Sequence, residues 1–196
     1  MMTGDATTLR DAAFPRAGLL TDIVLVTLGA GLIAAAAQVS VSLPFTPVPV
    51  TGQTFAVLLI GSALGTVRGG SAGSLYLLVG LAGVPVYADG TSGWAIVSGA
   101  TGGYLIAFPL AAALAGWLAE HRWDRRFSSA VGAMLTGNVL IYLLGLPWLA
   151  VVLDTGLEKT LELGFYPFVV GDMVKLYLAA ALLPSAWRLI GERRDS

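Results

Sequence analysis

What most constrains this chain is where its charges are missing. No Asp, Glu, Lys or Arg lies between Asp22 and Arg68, between Arg68 and Asp89, between Asp89 and Glu120, or between Arg126 and Asp154. Shorter gaps run from Glu162 to Asp172 and from Lys175 to Arg188. A helix that crosses a bilayer needs about 20 mostly apolar residues. The first gap is long enough for two. Pro44, Pro47 and Pro49 divide it, because proline removes a backbone donor and disfavours helix in the residue before it. Gly69-Gly70 is expected to divide the next pair, and the Gly83–Gly93 region with Pro85 the next. The spans fall at roughly 18–40, 52–68, 70–83, 99–119, 129–152 and 168–190. The third is short for a crossing, so it is expected to be short or irregular. The fold class is therefore all-α, a polytopic six-helix membrane bundle with long outer loops. Residues 1–17 form an N-terminal segment, 18–190 the membrane domain and 191–196 the C-terminus.

Composition agrees. Of 196 residues, 56% are hydrophobic and 12% charged, against about 25% charged in soluble domains. A chain this short has too little interior to hide so much apolar surface from water. A net charge of −1 offers phosphate backbones nothing, which argues against a nucleic-acid partner. The absence of cysteine removes disulfides and thiolate chemistry, and a single histidine argues against a metal centre. The polar stretch with Asp5, Arg10, Asp11 and Arg16 precedes the first span without a cleavage signal, so that span is expected to be retained.

Orientation follows from Lys and Arg. With the N-terminus inside, Arg10, Arg16, Arg68, Arg122, Arg125, Arg126, Arg188, Arg193 and Arg194 are cytoplasmic and only Lys159 is outside. This positive-inside bias predicts a multi-pass plasma-membrane protein with both termini cytoplasmic. Connections 41–51, 84–98 and 153–167 then face outward.

Polar groups at membrane depth need a reason. Asp172 and Lys175 stand at i,i+3 near the outer end of the last span and share one face. Charges there normally face the bundle interior and find a partner. They are either a structural ion pair or a ligand site. Other groups at similar depth favour the site: Gln53 and Thr54 at the start of the second span, Thr101, Gly102 and Tyr104 at the start of the fourth, and Asn138 in the fifth. Tyr87, Trp94, Trp148 and Phe45 are candidate aromatic walls. Singly, each has a plain use as a cap, an interhelical bond or part of an interfacial belt. Together they outline an outward-opening pocket with few placed polar groups. Gly29-x-Gly31-x-x-Ala34 imitates a dinucleotide fingerprint but lacks the acidic residue about 20 positions on. Small residues at Ala30, Gly31, Ala34 and Ala35 instead suit close helix approach. His121 is expected in a solvated turn. No P-loop and no nucleophile–base constellation is present, so this chain is read as a non-enzyme with no catalytic residues. A solute channel is disfavoured because the polar groups cluster at one side.

Four stretches resemble a known family. Pro47-Val-Pro-Val-Thr-Gly-Gln-Thr-Phe-Ala-Val-Leu-Leu59, Gly83-Val-Pro-Val-Tyr-Ala88, Thr101-Gly-Gly-Tyr-Leu105 and Pro167-Phe-Val-Val-Gly-Asp-Met-Val-Lys175 are similar in order and spacing to the BioY biotin transporters. Ala100 replaces a proline usual in that pattern, and Tyr87 a common Phe. The resemblance implies a substrate-binding (S) component of an energy-coupling factor transporter. It implies high-affinity biotin capture, biotin as ligand with no cofactor, and two partners: a transmembrane coupling (T) protein and a cytosolic ATPase pair. The alternative is a stand-alone biotin or small-solute transporter. Lys175 is then expected to meet the biotin carboxylate, with Thr101 or Tyr104 assisting, and Asp172 and Asn138 the urea. Which end meets Lys175 stays open. Helix one, with Ala30, Gly31, Ala34 and Ala35, resembles the docking face for the coupling protein, with packing inside the bundle as the equal alternative.

Overall fold

The computed structural model describes residues 7–16 and 18–195, the last five by backbone only. Asp5 and the side chains of Arg193 and Arg194 lie outside the described residues. The fold is mostly helical. A short helix α1 (Leu9–Ala13) precedes α2 (Leu19–Ala37), α3 (Gln53–Leu64), α4 (Thr66–Leu81), a one-turn α5 (Trp94–Val97), α6 (Gly102–Glu120), α7 (Phe127–Leu153), α8 (Leu157–Gly164) and α9 (Val169–Asp195). Helices α2, α6 and α7, and the stretch of α9 from Val169 to Ile190, are long and apolar enough to cross a membrane. α3 and α4, at 12 and 16 residues, are shorter. Large apolar side chains point outward along these helices, among them Leu19, Leu28, Leu143, Val151 and Val170, as a hydrocarbon environment allows.

The connections carry more structure than an all-α reading gives. Ser40–Val41 (β1) pairs antiparallel with Val50–Thr51 (β2), Ser40 opposite Thr51. This small hairpin closes over the three prolines. Residues 88–90 form a single 3-10 turn, and α8 occupies the connection expected at 153–167.

The break between the second and third segments is not at Gly69-Gly70, which lie inside α4. It is at Gly65, whose φ of 87° lies in the left-handed region that favours glycine. Its N–H completes α3 on the Gly61 carbonyl at 2.9 Å. Glu120 then caps α4, accepting from Thr66 N–H at 2.8 Å and from the Thr66 hydroxyl at 2.7 Å. The positive end of the α4 dipole favours that carboxylate.

α6 is the centre of the bundle, packed against α3, α4 and α7. Ala107, Ala111, Ala112 and Ala115 are fully buried on it, and these small faces let neighbouring backbones approach closely. Gly61 sits where a Cβ would stand 2.3 Å from the Ala112 carbonyl oxygen, and Gly116 where one would meet the Gly65 backbone at 2.3 Å.

Two polar clusters tie the same end of the bundle. Arg10 and Arg68 both reach Asp22, at 2.5 and 2.9 Å, joining α1, α2 and α4. In the α6–α7 turn His121 is exposed as expected, but Asp124 is 1% exposed. It accepts from the Trp187 indole N–H at 2.5 Å, and the Arg125 guanidinium lies 3.3 Å above the Trp187 ring. Burial pushes the Asp124 carboxyl above its ordinary value, with the Trp187 bond and Arg125 opposing. A buried carboxylate that loses a donor costs about 1–3 kcal/mol. Trp187→Phe is therefore expected to lower the thermal midpoint by about 2–12 °C in detergent, at about 2–4 °C per kcal/mol for a chain of this size. An unchanged midpoint would remove Asp124–Trp187 from the forces holding α9.

Candidate functional site

A cleft of about 280 Å³ opens where the 38–52 and 82–101 connections meet the ends of α3, α6 and α9 and the middle of α7. Two hydrogen bonds fasten those connections together. Gln38 Nε2 donates to the Tyr87 carbonyl at 3.1 Å and the Ser42 hydroxyl to Asp89 at 3.1 Å.

The chemistry of the cleft is concentrated on α9. Lys175 Nζ lies 2.9 Å from Asp172 Oδ1 and 3.4 Å from Thr54 Oγ1. The other carboxylate oxygen, Oδ2, accepts from Asn138 Nδ2 at 3.3 Å and from the Tyr142 hydroxyl. Asn138 and Tyr142 are one turn apart on α7 and so share a face. Asp172 is thus held from three sides at 6% exposure. The pair is internally neutral, yet Lys175 keeps a third N–H and Asp172 Oδ1 a second lone pair. Those leftover valences can hold a polar group of a ligand.

Gln53 supplies the opposite wall. The Thr51 hydroxyl accepts from Gln53 N–H at 3.3 Å and donates to Gln53 Oε1 at 2.8 Å. Gln53 Nε2 donates to the Tyr76 hydroxyl at 2.5 Å. This chain fixes the amide orientation and leaves one N–H and one lone pair over. Tyr104 packs edge-on against Tyr142 and donates its hydroxyl to the Gly164 carbonyl at 3.0 Å.

Of the residues expected from sequence, Asp172, Lys175, Gln53, Thr54, Thr101, Tyr104 and Tyr87 line this cleft. Asn138 stands just behind it, on Asp172. Thr101 stands at the N-cap of α6, but its side chain makes no capping bond there; its hydroxyl donates to the Ile96 carbonyl at 3.4 Å. Tyr87 contributes its ring alone, since its hydroxyl donates to the Leu77 carbonyl at 2.6 Å. Four expectations fall outside. Phe45 and Trp94 are 61% and 71% exposed and do not line the cleft. Trp148 points its indole N–H at the Gly99 carbonyl, 2.9 Å away, and packs behind the wall. Gly102 is buried because a Cβ there would strike the Val97 carbonyl and the Trp148 indole. It makes room for Trp148 and does not face the ligand space. Tyr142, Phe168 and Asp89 were missed. The i,i+4 spacing of Asn138 and Tyr142 was the signal that pointed to the first.

The small residues of α2 divide. Ala30 is buried at 7%, while Gly31 and Ala35 face outward and Ala34 is half-buried. Ala30 packs inside the bundle, so it is withdrawn from the outward face.

The four family-like stretches are far apart in sequence and meet around this cleft. The family model for the BioY family matches residues 6–192. The chain belongs to the BioY family. It is 40% identical over 170 residues to a probable biotin transporter BioY of Pyrococcus horikoshii, covering 87% of this chain and 96% of the relative. It is 36% identical over 159 residues to biotin transporter BioY2 of Lactococcus lactis, covering 81% and 86%. Against biotin transporter BioY of Rhizobium etli it is 35% identical over 169 residues, covering 82% and 90%. A solved S-component for biotin from an ECF-type ABC transporter superposes with a TM-score of 0.76 at 22% identity, covering 86% of this chain and 92% of that one. That likeness gives the BioY chain the same fold.

Proposed function

We propose that this chain captures biotin in the α9 cleft and serves as the substrate-specificity subunit of an ATP-driven vitamin importer. The observation that carries the reading is the convergence of the BioY stretches on one cleft whose polar floor is Lys175 and Asp172. Biotin has a carboxylate, a urea ring and an apolar thiophane body. The cleft offers an ammonium, a carboxylate, an oriented amide and aromatic walls to match them. On this reading α3 and α4, though short, are the second and third of six spans, and the positive-inside bias supports both termini in the cytoplasm. A transmembrane coupling protein and a cytosolic ATPase pair supply the energy.

Radiolabelled biotin binding and uptake by cells expressing this chain alone, then with a coupling module, test the proposal. Binding alone with uptake only on co-expression is the expected result. Uptake by the chain alone would favour a stand-alone transporter, and no binding would reject the cleft. The outward face of α2 is the proposed docking surface, now reduced to Gly31, Ala34 and Ala35. Ala35→Trp is expected to leave biotin affinity unchanged and to block co-purification with the coupling protein. Weakened biotin binding would assign that face to the bundle instead.

A further inference from the structure

A second, much smaller cavity of about 10 Å³ lies behind the Asp172–Lys175 pair, away from the main cleft. Its polar lining is Thr54, Asn138, Asp172 and Lys175; the remaining wall is apolar, with Leu58, Met134 and Ala179. Asn138 is 8% exposed. Its Nδ2 is committed to Asp172, which accepts and cannot donate as a carboxylate, so the amide orientation is fixed. Its Oδ1 is buried with no hydrogen-bond partner among the described residues. A buried acceptor left unpaired costs about 1–3 kcal/mol, and such groups are normally satisfied by protein or by ordered water.

We infer that this cavity is a binding site for one water molecule, which bridges Asn138 Oδ1 to the third N–H of Lys175. Size decides against anything larger: about 10–15 Å³ holds one water. Charge decides against a cation, because the Lys175 ammonium forms part of the same wall. The polar partners meet the two to four a buried water requires. The water acts as donor to Asn138 and acceptor from Lys175. It thereby couples Asn138, which does not line the cleft, to the one cation that does. Lys175 is then held by Asp172, Thr54 and the water before any ligand arrives, and a ligand group takes the N–H that makes the long 3.4 Å contact to Thr54.

The part this water plays in binding rests on the proposed capture function; its existence does not. A crystal structure of the ligand-free wild-type protein at about 2 Å is the first test. One ordered peak at roughly 2.6–3.2 Å from both Asn138 Oδ1 and Lys175 Nζ is expected. A dry cavity overturns the site. An anomalous peak there after a thallium soak overturns its assignment to water. The second test is Ala179→Val, which fills the cavity without altering a polar group. It is expected to displace the peak, weaken biotin binding about fivefold and lower the ligand-free thermal midpoint, because Asn138 Oδ1 is again left unpaired. Wild-type affinity with the peak displaced would overturn the coupling to Lys175. If Ala179→Val does not fold, Met134→Phe adds volume to the same wall and is read by the same measurements. Absence of biotin binding in the wild type, with the peak present, would sink the capture function and leave the water site standing.

Discussion

Lys175→Ala is expected to weaken biotin binding about a hundredfold in equilibrium titration of the purified protein. Truncating one partner of a buried, hydrogen-bonded charge pair costs about 2–5 kcal/mol, much of it from the charge left behind. A loss of about 2.7 kcal/mol is a factor of about a hundred. In the complex the group left behind is the biotin group that Lys175 meets, now beside Asp172, which is 6% exposed and still held by Asn138 and Tyr142. Asp172→Asn keeps the shape and removes the counter-charge, so it should weaken binding as well. Unchanged affinity in both variants would reject the cleft. Biotin methyl ester distinguishes the two poses. It should lose affinity steeply if Lys175 meets the carboxylate, and little if Lys175 meets the urea.

The second large effect concerns assembly of the bundle. Gly61→Ala puts a methyl 2.3 Å from the Ala112 carbonyl oxygen, and the obstruction is backbone, not a flexible side chain. Overpacking of this kind costs about 1–3 kcal/mol, or roughly 2–12 °C of thermal midpoint for a chain of this length. Gly61→Val should fail to accumulate in membranes. The control is Gly31→Ala, where a Cβ meets nothing within 4 Å. There the midpoint should hold or rise slightly, because alanine is the better helix former by about 1 kcal/mol. Equal losses in Gly61→Ala and Gly31→Ala would show that the α3–α6 approach is not what Gly61 serves.

These glycines also show what was legible in sequence. The charge gaps located the long apolar helices α2, α6, α7 and α9, because excluding charge from hydrocarbon is a one-dimensional signal. Gly69-Gly70 misled because glycine serves two purposes that composition does not separate. Beside Arg68 the pair looks like a break, yet Gly69 lies inside α4 to let its backbone come against Gly61. The turn belongs to Gly65, which needs positive φ. The cleft was legible where an expensive charge had to be explained, at Asp172 and Lys175, and where a polar residue opened a helix, at Gln53 and Thr101. Aromatic type was a poorer guide. Trp94 and Phe45 share their chemistry with wall residues, and only three-dimensional packing turns them outward. Tyr142 escaped because its hydroxyl matters through Asp172, a relation across two helices.

The fastening of the 38–52 connection to the 82–101 connection has a consequence for entry. Each of its two bonds, Gln38 to the Tyr87 carbonyl and Ser42 to Asp89, nets about 0.5–1.5 kcal/mol. Parting both costs roughly 1–3 kcal/mol, so these bonds by themselves favour the fastened arrangement by a factor of only about 5 to 150. A solute that enters between these connections then needs no fuel for its admission.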